Sequence, residues 1–153
     1  MKVCIGGTFN ILHSGHKQLI KKAFETAGIN GSVFIGLTSK NLIKNKKNVK
    51  PLKERKKGLE QYLSEEGFLD RTIIKPIIDK YGPSIDEEFD AIVVSPETIK
   101  TAEEINYKRR KKEKKVLKII QISFVLAKDG MPISSSRINN KEIDENGNIL
   151  KRD

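Results

Sequence analysis

Val3-Cys4-Ile5-Gly6-Gly7-Thr8-Phe9-Asn10-Ile11-Leu12-His13-Ser14-Gly15-His16 passes from an apolar run through a glycine-marked turn, and Leu19, Ile20, Ala23 and Phe24 follow at amphipathic spacing. The order is therefore strand, turn, helix, with the helix beginning near Ser14-Gly15. Unpaired backbone N–H groups at a helix start favour an anion, and glycines let a phosphate approach the main chain. His13 and His16 stand three apart across that start, so both imidazoles can face one ligand and donate to phosphoryl oxygens. A metal held by the pair is the rival reading. It would want a third ligand, yet the chain has no other histidine and its single Cys4 lies inside the apolar run. Two core histidines fit less well, because a glycine-rich loop presents its side chains at a surface.

The same alternation continues outward from this unit. A helix is predicted from Ser14 to Ala27, ended by Gly28, and Ser32 to Thr38 forms a continuous apolar strand suited to a sheet covered on both faces. A basic stretch from Lys40 to Lys57 overlaps the start of a second helix, Lys53 to Glu66, which buries Leu59, Tyr62 and Leu63. Arg71 to Ile78 and the β-branched run Phe89 to Ser95 supply two more strands. Pro96 suits the first position of a third helix, with Ile99, Ala102 and Ile105 facing inward and the charged run Lys108–Lys115 as its solvated end. Val116 to Val125 reads as a fifth strand, Ile133-Ser134-Ser135-Ser136-Arg137 as another helix start, and the tail from Lys141 as polar and loosely held. Strands alternating with helices imply an α/β, Rossmann-like, doubly wound five-stranded parallel sheet in one domain over residues 1–153. Ligands of such sheets sit beyond the carboxyl ends of the strands. The first loop, Thr38-Ser39, Ser95-Pro96-Glu97-Thr98 and Ser134–Arg137 should then converge on one pocket.

Composition sets broader bounds. A chain of 153 residues supports one domain with its own core and is short for two. Thirty Lys and Arg against 20 Asp and Glu leave a charge of +10, which suits nucleic acid, an anionic membrane surface or a polyphosphate. One cysteine excludes an internal disulfide framework and fits a reducing, cytoplasmic setting. No apolar run approaches a membrane span or a signal-peptide core.

Ser134-Ser135-Ser136-Arg137 offers hydroxyls, helix-start N–H groups and a permanent cation, which is also what a plain serine cap with a surface arginine looks like. Taken with the His13/His16 loop, two anion-binding helix starts facing one cleft suggest a nucleoside triphosphate. The pairing of Gly-Gly-Thr-Phe and His13-x-Gly15-His16 with Ile-Ser-Ser-Ser-Arg resembles the nucleotidyltransferases that carry an HxGH motif. Within them the chain is most similar to phosphopantetheine adenylyltransferases of the archaeal and eukaryotic type. The closer match rests on Gly36-Leu37-Thr38-Ser39, Lys50-Pro51-Leu52-Lys53-Glu54-Arg55, Tyr81-Gly82-Pro83, Asp90 through Thr98, and Ile105-Asn106.

That resemblance implies transfer of an adenylyl group from ATP to 4′-phosphopantetheine, giving dephospho-coenzyme A and pyrophosphate by direct in-line attack. It implies that His16 contacts the α-phosphate, that His13 and the Gly15 backbone support the triphosphate, and that Gly7, Thr8 and Phe9 flank the nucleotide, Thr8 also touching the acceptor phosphate. Ser134, Ser135, Ser136 and Arg137 would hold the β- and γ-phosphates, and Ser95, Glu97 and Thr98 would border the adenosine. A lysine should bridge acceptor and α-phosphate, Lys44 before Lys40. Magnesium would accompany ATP, with no protein-held metal. Asn10-Ile11 stands where the family more often has Asp-Pro, and Ser136 replaces a more usual threonine. Rival readings are an adenylyltransferase acting on nicotinamide or flavin mononucleotide, a cytidylyltransferase, or a non-catalytic nucleic-acid module. The last is weakened by few aromatics among the basic runs.

Overall fold

In the computed structural model, which describes residues 1–39, 43 and 49–150, the opening run becomes strand β1 (Lys2–Gly7) and helix α1 (Ser14–Ala27). Then follow β2 (Ser32–Thr38), α2 (Leu52–Glu65), β3 (Thr72–Ile77), β4 (Ala91–Val94), α3 (Ile99–Lys111), β5 (Lys118–Gln121) and the short α4 (Ser135–Asn139). All neighbouring strands pair in parallel, in the order β3-β2-β1-β4-β5. The predicted α/β, Rossmann-like, five-stranded parallel sheet is the fold observed.

Alternation along the central strands divides the core. Val3, Ile5, Val33, Ile35, Leu37, Ala91 and Val93 pack with Ile20, Ala23 and Phe24 of α1 and Leu59 and Leu63 of α2. Cys4, Phe34, Ile92 and Val94 point the other way, onto Ala102 and Ile105 of α3. The chain winds one way from β1 to β3, then reverses through β4 and β5, so crossovers of one hand lay α3 on the opposite face from α1 and α2. Burial pushes the Cys4 thiol up to about 12, which makes it a packing residue rather than a reactive one.

The crevice has a local cause. β1 pairs with β2 along its whole length, but with β4 only at Val3↔Ala91 and Cys4↔Ile92. Beyond Ile5 the strands part, and Gly6, Gly7 and Thr8 face the gap at the point where strand order reverses.

Four expectations need correction. The third helix starts at Ile99, not Pro96, because Thr98 N–H donates to the Ser95 carbonyl at 3.1 Å and closes a separate turn first. The fifth strand stops at Gln121, and residues 122–125 serve instead as a wall of the site. The run Lys108–Lys115 is not wholly solvated: Arg109 is 1% exposed and donates to the carbonyls of Lys115, Ser84, Ile85 and Glu87 at 2.6–3.1 Å. Nor is the tail up to residue 150 loose. Ile143 is fully buried with Ala127 and Ile133, Ile143 bridges Ile149, and the Glu145 carbonyl accepts from Ser14 N–H at 3.1 Å.

Gly31 shows how tightly α1 is returned to the sheet. A Cβ there would press on the Ala27 carbonyl and lie 2.5 Å from the Met1 carbonyl oxygen, both of them backbone atoms that cannot swing aside. Gly31→Ala is expected to destabilise the protein by about 1–3 kcal/mol, read as a lowered urea midpoint with an unchanged slope.

Candidate active site

A cavity of about 700 Å³ lies over the carboxyl ends of β1, β2, β4 and β5. Its walls include Gly7, Thr8, Phe9, His13, Gly15 and His16 from the first loop, Thr38 after β2, and Ser95, Glu97 and Thr98 after β4. Ser134, Ser135 and Ser136 of the α4 start close the far side. The expected convergence of separate loops on one pocket is thus realised in space. Lys40 and Lys44 lie outside the described residues.

The helix start works differently from the expectation of open N–H groups. His13 is buried and caps α1: Gly15 N–H donates to its Nδ1 at 3.0 Å and His16 N–H at 3.4 Å. His16 reciprocates, its Nδ1 accepting from His13 N–H at 3.4 Å, while Ser14 N–H goes to the tail. The Gly15 amide is therefore engaged within the loop. What remains for a ligand is the Nε2 side of each imidazole, and with Nδ1 accepting, a neutral ring carries its proton at Nε2. The rings stack with centroids 3.8 Å apart, and Phe9 leans on His16 at 5.0 Å. Phe9 is buried and adopts a left-handed backbone (φ 49°), a strained geometry uncommon for an aromatic residue and typical of functional loops. Burial pulls the pKa of His13 down to about 4; burial, helped by the neighbouring His13, pulls His16 to about 3. Both rings are neutral donors at pH 7.

Arg137 does not line the cavity. Its guanidinium is taken by Asp129 and by Glu142, the latter at 3.0 Å, and it donates to the Pro132 carbonyl at 3.1 Å. It staples the segment 129–142 and so presents the three serines, whereas the resemblance implied direct phosphate contact. The physical reason is that these two carboxylates, one before α4 and one after it, already occupy the guanidinium. Arg137→Met and Asp129→Asn are expected to lower the thermal midpoint, and the double variant to fall by less than their sum.

The site also uses residues the sequence did not single out. Ser123, Phe124 and Val125 form a wall just past β5, and Asn139 reaches the cavity from the last turn of α4. The signal for the first three was present but misread: they follow a strand's carboxyl end. Asn10 lines the wall too, its Oδ1 accepting from Lys50 N–H at 2.7 Å. A smaller cavity of about 170 Å³ opens on the α3 face of the sheet, with Ile77, Tyr81, Pro83, Ala102 and Ile105 around it. It shares Gly6, Gly7, Thr38 and Thr98 with the larger one. At its rim the Tyr81 hydroxyl donates to Glu104 at 2.7 Å and Lys80 pairs with Glu104 at 2.8 Å. Among the described residues, no three His, Cys, Asp or Glu side chains come together as a metal site. No helix among them is long and apolar enough to cross a membrane.

Comparison with known proteins agrees with this geometry. Residues 4–141 match the cytidylyltransferase-like family. A phosphopantetheine adenylyltransferase of Methanosarcina mazei is 46% identical over 98% of this chain and 97% of its own. One from Methanopyrus kandleri is 45% identical over 94% of this chain and 91% of its own. A crystal structure of an Archaeoglobus fulgidus protein of unknown function superimposes with a TM-score of 0.70 at 36% identity, covering 80% of this chain and 89% of that one. The chain belongs to the cytidylyltransferase-like family and, within it, to the phosphopantetheine adenylyltransferases.

Proposed function

We infer that this protein transfers the adenylyl group of ATP to 4′-phosphopantetheine, releasing pyrophosphate and forming dephospho-coenzyme A. The observation that carries the reading is the pair of neutral imidazoles facing the Ser134–Ser136 helix start across one cavity. The names of the relatives supply the acceptor.

In this reading the triphosphate occupies the larger cavity, its β- and γ-phosphates against Ser134, Ser135 and Ser136, and its adenosine against Ser95, Glu97 and Thr98. The smaller, largely apolar cavity takes the pantetheine arm and places its phosphate near Thr8 and Thr38, where the two spaces meet. An acceptor phosphate oxygen attacks the α-phosphorus, the bond to the pyrophosphate oxygen breaks, and pyrophosphate leaves with the electron pair. Little covalent work falls to the protein. It aligns the reactants and stabilises charge on the α-phosphoryl oxygens, which the Nε2–H of His16 supports without first losing a proton. Magnesium enters with ATP as part of the substrate, neutralising phosphate charge. The lysine assigned to bridge the phosphates is Lys44, with Lys40 as second choice.

The test is a pyrophosphate-release assay with ATP and each of phosphopantetheine, nicotinamide mononucleotide and flavin mononucleotide, repeated with CTP. Turnover is expected with ATP and phosphopantetheine, at least about 100-fold above ATP with either mononucleotide, because the apolar lining of the smaller cavity suits the pantetheine arm. Release with a mononucleotide and none with phosphopantetheine would reassign the acceptor.

A further inference from the structure

Arg55 occupies the N-terminal part of α2, where the helix dipole disfavours a cation, and only 3% of it is exposed. Its Nη1 donates to the carbonyls of Thr8 at 3.0 Å and Thr38 at 2.9 Å, and its Nε donates to the Lys50 carbonyl at 2.8 Å. All three acceptors are neutral, and among the described residues no carboxylate pairs with it. A neutral donor could satisfy carbonyls without the cost of a buried charge, so the charge itself calls for a reason.

Its surroundings supply one. The hydroxyl of Thr38 donates to that of Thr8 at 2.9 Å; Thr38 lines both cavities and Thr8 the larger one. Arg55 grips the backbone of both from behind. Its third acceptor, Lys50, also donates its N–H to Asn10 Oδ1, so the chain entering α2 is tied to the first loop twice, by Lys50 to Asn10 and by Arg55 to Thr8.

We propose that Arg55 is a positioning residue for the transfer: its planar fork holds the Thr8 and Thr38 carbonyls through Nη1 and the Lys50 carbonyl through Nε, fixing the two threonines against the chain that enters α2, and its fixed charge beneath them favours phosphoryl groups bound on the cavity side. This rests on the reading of the larger cavity as an ATP site. Two effects are combined in one side chain, and substitution can part them. Arg55→Lys keeps the charge but offers one nitrogen where the fork offers two, so it cannot hold the threonine carbonyls and the Lys50 carbonyl together in the parent geometry. Arg55→Met keeps the length and removes both charge and fork.

The experiment measures magnesium–ATP affinity by calorimetry and kcat with phosphopantetheine, for the parent and both variants. Arg55→Lys is expected to bind ATP within about threefold of the parent while kcat falls ~30-fold, the scale of an ångström-level misplacement. Arg55→Met is expected to lose at least about tenfold in ATP affinity as well. A role confined to holding the fold moves affinity and turnover together and equally in both variants; that pattern, or parent-like turnover in Arg55→Lys, overturns the proposal. If Arg55→Met does not fold, the split between affinity and kcat in Arg55→Lys decides. Should the parent adenylylate a different acceptor, kcat is read with that acceptor, so an error in acceptor identity is separable from an error about Arg55. A parent that binds no ATP overturns both readings.

Discussion

His16→Ala is expected to lower kcat by ~10²- to 10³-fold, the range found when one preorganised donor to a developing oxyanion is removed. KM for ATP should stay within about threefold, because the triphosphate keeps its contacts elsewhere in the cavity. The fold should survive, since the ring is held by contacts with Phe9 and His13 at the cavity wall and its bond from His13 N–H is long at 3.4 Å. Activity within a few-fold of the parent would remove His16 from the mechanism. The ionisation state offers a second check. Imidazole nitrogen shifts in the ligand-free protein should report neutral, Nε2-protonated rings for both histidines from pH 7.5 down to pH 5, given pKa values near 4 for His13 and 3 for His16. The sign for stability follows from linkage. The unfolded chain binds protons on these rings below its ordinary histidine pKa of about 6.5, whereas the folded one does not until pH 3–4. Their contribution to stability is therefore full above about pH 6.5 and declines as the solution is acidified through that window. The decline should be shallower in His16→Ala, measured as urea midpoints at pH 7 and pH 5; an identical slope would mean that the His16 pKa is not lowered by folding.

Arg109→Met is expected to be the most damaging change in the charged end of α3, costing about 3 kcal/mol or more, and Arg110→Met close to nothing. Arg109 is 1% exposed and fills four carbonyls, from Ser84, Ile85, Glu87 and Lys115. Removing it leaves several buried acceptors without a donor, each at roughly 1–3 kcal/mol before relaxation. For a chain of this size that amounts to a fall of roughly 10 °C in thermal midpoint. The two arginines are adjacent and chemically identical, so a matched pair of melting curves isolates burial from charge. Equal midpoints would show that the Arg109 fork adds no net stability. Its neighbour Asn106 acts in a related way. The Asn106 amide donates to the Leu117 carbonyl at 2.9 Å and accepts from Leu117 N–H at 2.8 Å, mimicking a strand partner beside β5. These two residues explain how so polar a helix packs against an apolar sheet face.

Much of the site was legible from residue order. Strand–glycine–helix at Val3 through His16 needs only local geometry, and alternation of apolar strands with amphipathic helices implies parallel pairing and a crevice past the carboxyl ends. What misled were residues whose environment is made by distant chain. Arg109 reads as solvated because its neighbours are, and nothing nearby in sequence announces that the segment from Ser84 to Glu87 will aim carbonyls at it. Ile143 lies in a polar tail, yet its burial depends on Ala127 and Ile133 coming beside it.

Residue order was enough for the α/β class, the place of the crevice and the residue types gathered there, because apolar periodicity and glycine placement act over a few residues at a time. Which polar groups remain available to a ligand was settled only when distant segments packed together. Hydrogen-bond partners are assigned by proximity in space: His13 uses the amides that an anion could have used, Asp129 and Glu142 take Arg137 from the cavity, and Thr8, Thr38 and Lys50 draw Arg55 beneath it.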